Sequence, residues 1–253
     1  MSVRYGGSPP VLEGLTFGLD RGEVCAMIGP NGAGKSTLLR GMLDIGPVVE
    51  GSISVCGRDS RGLSRLERAR LMSFLPQEYN HSSRLTALEI VLLGRHPHRA
   101  AWEGDSREDL DTAVEAMVLA GVEHVRGRAF CELSGGERRL VMLASAIAQQ
   151  PSVLLLDEPG SSLDFRHQAD LWNLLHSLGS RGVTVLASTH ELNTALRFVD
   201  KVLVISAGGM AAFGAPDEVC TPELLGCVFG IPLDVARSPD GGWSVHPSVE
   251  AGR

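Results

Sequence analysis

The run Gly29-Pro30-Asn31-Gly32-Ala33-Gly34-Lys35-Ser36 constrains this chain more than any other stretch. It fits G-x-x-x-x-G-K-[ST], and its flanks supply the context such a motif needs. An apolar strand reads from Glu23 to Ile28 before it, and a helix from Lys35 to about Leu43 after it. Glycines let successive backbone N–H groups turn inward around phosphate oxygens. The helix start adds unpaired N–H groups and the positive end of a dipole. Lys35 offers a mobile charge to the outer phosphates, and the Ser36 hydroxyl can ligate Mg²⁺. Of 23 basic residues only Lys35 and Lys201 are lysine, so a lysine at the one place the motif demands is informative.

The rest of the chain reads as α/β. Near-continuous apolar runs at Val153 to Leu156, Val183 to Ser188 and Val202 to Ile205 suit parallel strands covered on both faces. Ser52 to Cys56 and Met72 to Leu75 read as shorter strands. The middle of the chain has few strand signals. Thr86 to Glu89 is a capping-box pattern that opens a helix. Leu110, Ala113, Val114, Met117 and Val118, and then Leu140, Leu143, Ala144, Ile147 and Ala148, recur at helical spacing as core faces. The expectation is a helical subdomain over about 78–149 inserted in a core of about 1–77 and 150–253. The tail reads as a hairpin at Ala207 to Met210, a helix from Pro222 to Phe229, and weak strands.

Composition removes several function classes. The net charge of −7 argues against a domain that wraps nucleic acid. No apolar run approaches the roughly 18 residues of a membrane span, and the N-terminus shows no export signal. The five cysteines form no C-x-x-C pair and read as reduced thiols serving as small core hydrophobes. His96-Pro97-His98 reads as a solvated loop rather than a metal site.

Two further motifs join the glycine loop. The strand Val153 to Leu156 ends in Asp157-Glu158, and the carboxyl ends of parallel strands are where ligands bind. There Asp157 would support Mg²⁺, and Glu158 would orient or polarise an attacking water. Ser134, as N-cap, with Gly135 and Gly136 opens a helix whose first N–H groups are unshielded, a second anion-binding helix start.

With Leu133-Ser134-Gly135-Gly136-Glu137 lying 23 residues before Asp157, the set resembles the ABC-type ATPase family over nearly the whole chain. Tyr5 resembles the aromatic that stacks on adenine. Gln77 resembles the glutamine that touches Mg²⁺ and the nucleophilic water. Ser161-Ser162-Leu163-Asp164 resembles the D-loop, and His190 the switch histidine on the γ-phosphate. The resemblance implies a P-loop NTPase core of the ABC ATPase type, with ATP and Mg²⁺ as its only ligands. Lys35, Gln77, Glu158 and His190 would be catalytic, and Ser36, Gln77 and Asp157 would hold the metal. Gly29 through Thr37, Tyr5, Ser134, Gly135, Gly136 and Asp164 would hold nucleotide. It also implies a homodimer with two ATPs sandwiched between chains, each signature helix completing its partner's site. Three departures stand out. Gly160 occupies a position where the family more often has threonine, which could loosen the D-loop. Ser145 stands where arginine is usual, which could weaken a subdomain contact. Arg138 replaces a common glutamine.

Leu92 to Arg99 and the tail from Ala215 to Leu225 resemble ATPases of iron-siderophore, heme and cobalamin importers. That resemblance implies membrane permease subunits as partners, a substrate-binding protein acting indirectly, and a peripheral place on the cytoplasmic side of the inner (plasma) membrane. The alternatives are a soluble ABC ATPase of the iron–sulfur assembly type and the ATPase of another ABC transporter. A DNA-repair ATPase is disfavoured, because only 122 residues separate Lys35 from Asp157, with no sustained heptads between.

Overall fold

The computed structural model describes residues 1–79, 82–99, 104–238 and 241–248. The chain opens with β1 (Ser2–Arg4) and the wholly buried β2 (Val24–Ile28), which feeds the glycine loop and α1 (Lys35–Met42). Three short strands, β3 (Val48–Glu50), β4 (Ser54–Val55) and β5 (Arg58–Asp59), and α2 (Arg65–Leu71) lead to β6 (Met72–Leu75). A helical stretch follows: α3 (Ala87–Leu92), a 3₁₀ run over Leu93–His98, α4 (Arg107–Leu119) and α5 (Gly135–Ala148). The chain then alternates through β7 (Val153–Asp157), α6 (Phe165–Ser180), β8 (Thr184–Ser188), α7 (Leu192–Ala195) and β9 (Lys201–Ser206). It closes with β10 (Gly209–Gly214), α8 (Pro216–Val219), α9 (Pro222–Phe229) and a hairpin of β11 (Leu233–Arg237) and β12 (Trp243–Pro247).

The main sheet has six strands in the order β10-β9-β2-β8-β7-β6. All neighbours run parallel except β10, which returns from β9 through Ala207 and Gly208, both at positive φ. Two left-handed residues in a row match the twist of a tight hairpin. The period-2 geometry of the strands divides the core. Val24, Ala26 and Ile28 pack on one face with Leu154, Leu156, Val185 and Trp172, while Cys25 and Met27 pack on the other with Leu38, Leu39, Leu155 and Leu186. Burial on both faces is why these strands read as unbroken apolar runs. A third cluster joins α3, α4 and α5 around Val91, Met117 and Phe130.

Four expectations need correction. The stripe on α4 is narrower than its spacing suggests: Leu110 is 39% and Val118 56% exposed, and the buried line runs through Asp109, Ala113, Ala116 and Met117. Asp109 is buried because it pairs with the buried Arg95 at 2.9 Å. Only Cys25 and Cys220 are core residues; Cys56, Cys131 and Cys227 are exposed. His96 and His98 lie on the 3₁₀ run rather than a loop, with His98 Nε2 2.8 Å from the Gln149 carbonyl oxygen. The strand read over Ser52 to Cys56 shrinks to β4, ended by Cys56 at φ 51.

The departures at 145 and 160 are both accommodated. Ser145 Oγ donates to the Ile90 carbonyl at 3.1 Å and so ties α5 to α3. Gly160 lies against the Glu191 carboxylate. Among the described residues no helix is long and apolar enough to cross a membrane.

Candidate active site

The carboxyl end of β2 turns directly into the phosphate-loop sequence. Gly29 has φ 149, and a Cβ there would run into the Ile205 carbonyl of β9; Gly34 has φ 100 and faces the Leu12 side chain. A larger residue would block both the turn and the approach of the loop to its neighbours. The helix that follows is left open. α2, α3, α4 and α5 each begin with a capping box, whereas α1 has Gly34 at its N-cap and no side-chain cap. Its first N–H groups are therefore unclaimed by side chains and available to an anion. The loop floors a cleft of about 450 Å³ lined by Asn31 to Thr37 and by Val11, which the sequence reading did not pick out. Gly29 and Pro30 supply carbonyls behind it: Lys35 Nζ donates to Gly29 O at 2.7 Å and Pro30 O at 3.1 Å. Burial pulls the Lys35 ammonium below the usual lysine range, and the nearby Glu158 and Asp157 charges oppose that shift.

Three segments converge on the same cleft. Gln77, just beyond β6, donates from Nε2 to Glu158 Oε2 at 2.9 Å. His190, just beyond β8, places Nε2 2.7 Å from Glu158 Oε1. An ionised carboxylate only accepts, so Nε2 carries the proton in that contact. Glu158 itself has φ 48, an uncommon conformation for a side chain of its size, as the chain leaves β7. Behind it, Asp157 Oδ1 accepts from Ser188 Oγ at 2.7 Å, and the same hydroxyl accepts from Glu158 N at 2.9 Å. Asp157 and Ser188 are register partners on β7 and β8, so the sheet fixes this contact. Asp157 Oδ2 is buried with no hydrogen-bond partner. A buried carboxylate oxygen left without a hydrogen-bond donor is the kind of oxygen ligand a hard cation takes.

The sequence reading missed Arg139. Its side chain is 2% exposed and donates to five carbonyl oxygens: Pro76 at 2.6 Å, Gln77 at 3.2 Å, Asp157 at 2.5 Å, Glu158 at 2.9 Å and Pro159 at 3.2 Å. It thereby ties α5 to the segments carrying Gln77 and Glu158. Burial lowers the Arg139 pKa, with Tyr79, Asp157 and Glu158 opposing. The signal was present, because Arg139 shares a helix face with the buried Leu143 and Ala146. A charge in register with an apolar stripe calls for a partner.

Not every expected residue comes to this cleft. Tyr5 stands near it, its hydroxyl 3.5 Å from Thr37 Oγ1. Ser134, Gly136 and Asp164 instead line a separate groove of about 950 Å³. Ser134 Oγ accepts from Glu137 N at 3.2 Å, while the Glu137 carboxylate accepts from Ser134 N at 2.7 Å; Gly135 starts the helix between them. The Ser134 N–H holds the Glu137 carboxyl below the usual range. Asp164 caps α6, accepting from His167 N at 2.9 Å.

The fold and this pair of surfaces define an ATP-binding, ATP-hydrolysing subunit, and the chain belongs to the ABC transporter family, whose model matches residues 12–161. Relatives sharpen the comparison. The hemin import ATP-binding protein HmuV of Pseudomonas aeruginosa is 39% identical over 99% of this chain and 97% of its own. That of Streptomyces coelicolor is 40% identical over 96% and 85%. The petrobactin import ATP-binding protein FpuC of Bacillus anthracis is 35% identical over 90% and 85%. Among solved structures, a chain from a transporter assigned to the metal-chelate type, in an inward-facing conformation, superposes with a TM-score of 0.80 at 29% identity, covering 94% of this chain and 91% of that one. A dimeric cassette in a post-hydrolysis state with ADP and Pi gives 0.73 at 26%, covering 85% and 96%.

Proposed function

We propose that this chain powers an importer of metal chelates, an iron-siderophore or hemin, by hydrolysing ATP on the cytoplasmic side of the inner (plasma) membrane. The convergence of Gln77, Glu158 and His190 from separate segments onto the glycine-loop cleft carries the catalytic part of this reading. The import part rests on relatives named for hemin and petrobactin import. The partners would be two permease subunits in the membrane, a substrate-binding protein acting through them, and a second copy of this chain. In this reading the helical subdomain spans about 78–149 and the core about 1–77 and 150–253.

Each residue has a role that follows from its setting. The open N–H groups of α1, with Gly29 to Thr37, wrap the phosphates, and Lys35 turns from its carbonyl partners towards their outer charge. Tyr5 stacks on the base. Glu158, fixed by two donors, orients the attacking water and draws on its proton. His190 holds the far oxygen of Glu158 and faces the terminal phosphate. Ser36, Gln77 and Asp157 would hold Mg²⁺, which when bound supplies charge neutralisation across the phosphates. Gln77 suits this role because donating its amide N–H to Glu158 leaves its carbonyl oxygen as an acceptor. Ser134, Gly135, Gly136 and Asp164 would act on the nucleotide held by the partner's cleft.

Two experiments test this. Glu158→Gln should abolish hydrolysis and give an ATP-bound dimer on size exclusion with Mg-ATP; a monomer only would remove the dimer or the role of Glu158. The tagged full chain, recovered from membranes in mild detergent, should bring a polytopic permease. ATPase activity of that complex should rise with its binding protein loaded with ferri-siderophore or hemin. Recovery from the soluble fraction alone would overturn the transport reading.

A further inference from the structure

Glu191 follows His190 directly, yet no step above uses it. Its carboxylate folds back against the loop that leaves Glu158. Oε1 accepts from Gln168 Nε2 of α6 at 2.6 Å, and the same amide donates to the Leu163 carbonyl at 3.1 Å. Oε2 is buried and has no hydrogen-bond partner. A Cβ on Gly160 would lie 2.5 Å from Oε2 and 3.2 Å from both Oε1 and the carboxyl carbon. Gly160 is not among the positive-φ glycines, so its conformation does not demand glycine. Its space is what matters: the Glu191 carboxylate, the far end of a flexible side chain, fills the volume where any other residue would begin its side chain, so a Cβ there forces that carboxylate to shift.

The two segments meeting here are the ones that bear on Glu158. The loop is a tight turn, with Ser161 N donating to Glu158 O at 3.2 Å and Leu163 N to Gly160 O at 2.9 Å. The switch turn is held from its other side by Glu191 N donating to Thr189 Oγ1 at 3.0 Å. Between them stands the 2.7 Å contact of His190 with Glu158. An unsatisfied buried carboxylate oxygen costs free energy, and burial, helped by the Glu158 charge, raises the Glu191 pKa accordingly. Such a cost at a site next to the reacting groups points to a use.

We propose that Glu191 is a positioning residue: its carboxylate, seated in the side-chain volume that Gly160 leaves empty, locks the loop 159–164 to the switch turn and so sets the Glu158–His190 contact. This rests on the reading of Glu158 and His190 as catalytic. The two positions are then one device, and substitutions at them must compensate. Gly160→Ala should evict the carboxylate and displace the turns. Glu191→Asp withdraws the carboxylate by one methylene and vacates the volume.

The test is a double-mutant cycle on the purified full chain, measuring kcat and KM for ATP with melting temperature alongside. Gly160→Ala should lower kcat about tenfold with little change in KM, because the phosphate loop is untouched. Combining it with Glu191→Asp should restore kcat to within about threefold of the Glu191→Asp single variant. Multiplicative losses in the double variant, an unchanged kcat in Gly160→Ala, or losses of kcat and KM in proportion to melting temperature would overturn the proposal. If Gly160→Ala does not fold, Gly160→Ala in the Glu191→Ala background must fold, since the volume is then free; failure there also overturns it. Glu158→Gln run in parallel separates the two readings. Abolished hydrolysis with an additive cycle removes only the role of Glu191, whereas retained hydrolysis removes the catalytic assignment and the proposal with it.

Discussion

A guanidinium buried at 2% exposure keeps its charge only if its donors are satisfied, and Arg139 meets that condition with carbonyl oxygens. The arrangement makes it a rigid hub, because each carbonyl belongs to a segment that also carries a site residue. Arg139→Met should therefore cost about 3 kcal/mol or more in unfolding free energy, leaving several buried acceptors without this donor, and should depress hydrolysis. Arg139→Lys keeps the charge but lacks the planar fork, so chemical denaturation should place it between the two. Glu191 makes a prediction of a different kind. Its folded-state pKa is raised above the ordinary glutamate value of 4.5. A raised carboxyl pKa means the folded state binds the proton more tightly, so its contribution is present at low pH and lost as pH rises through the folded value. Glu191→Gln removes that titration. The melting temperature of the variant minus that of the wild type should become more positive as pH climbs from about 4 to 7. A difference that stays flat over that range would contradict the shift.

At the scale of elements, α5 serves two purposes at its first turn. The Ser134–Glu137 capping box satisfies helix N–H groups, and the proposed dimer asks the same Ser134, Gly135 and Gly136 to meet a phosphate. The two purposes are separable. Ser134→Ala loses the cap and should cost about 1 kcal/mol. Ser134→Asp keeps the cap and favours the helix dipole, so thermal stability should hold, yet its charge faces the expected phosphate, and ATP-dependent dimerisation should fail. Size exclusion with Mg-ATP beside a melting curve checks both. What the sequence disclosed follows the same division. Elements whose pattern is set locally were legible: the buried strands, α9 with Pro222 at its start, the cap at Ser134 and the glycine loop of the site. Features set by partners distant in sequence were not. Leu110 and Val118 fit the α4 period but face outward, because Asp109 is drawn inward by Arg95, 14 residues away. The sheet order, the carbonyl partners of Arg139 and the fit of Gly160 to Glu191 all depend on contacts that no local spacing encodes, although the place of Arg139 on the buried face of α5 was readable from its spacing.

For the whole molecule, the decisive fact is that the glycine-loop cleft and the groove beside Ser134 are separate surfaces of one chain. A monomer brings Lys35 to Glu158 but leaves Ser134, Gly136 and Asp164 away from that cleft, so in the proposed dimer one chain would hold two complementary halves rather than one complete site. If two chains pair across a two-fold axis that sets the cleft of each against the Ser134 groove of the other, each composite site takes its loop from one copy and its helix start from the other. Two-fold symmetry then makes the sites equivalent. Lys35→Ala breaks every loop half, and Ser134→Asp breaks every helix half, so each variant alone should lose hydrolysis by about a hundredfold or more. Mixed together they form some heterodimers in which one site carries both lesions and the other carries none. Part of the wild-type rate should return on mixing, rising with total protein concentration as heterodimers accumulate, and the returned activity should vanish when Glu158→Gln is added to the Lys35-intact chain. The placement matters, because Glu158 shares the cleft with Lys35 and acts on the intact site only from that chain. Recovery that instead vanished when Glu158→Gln was placed on the Lys35→Ala chain would mean that Glu158 serves across the interface, contrary to the cleft in which Gln77 and His190 hold it.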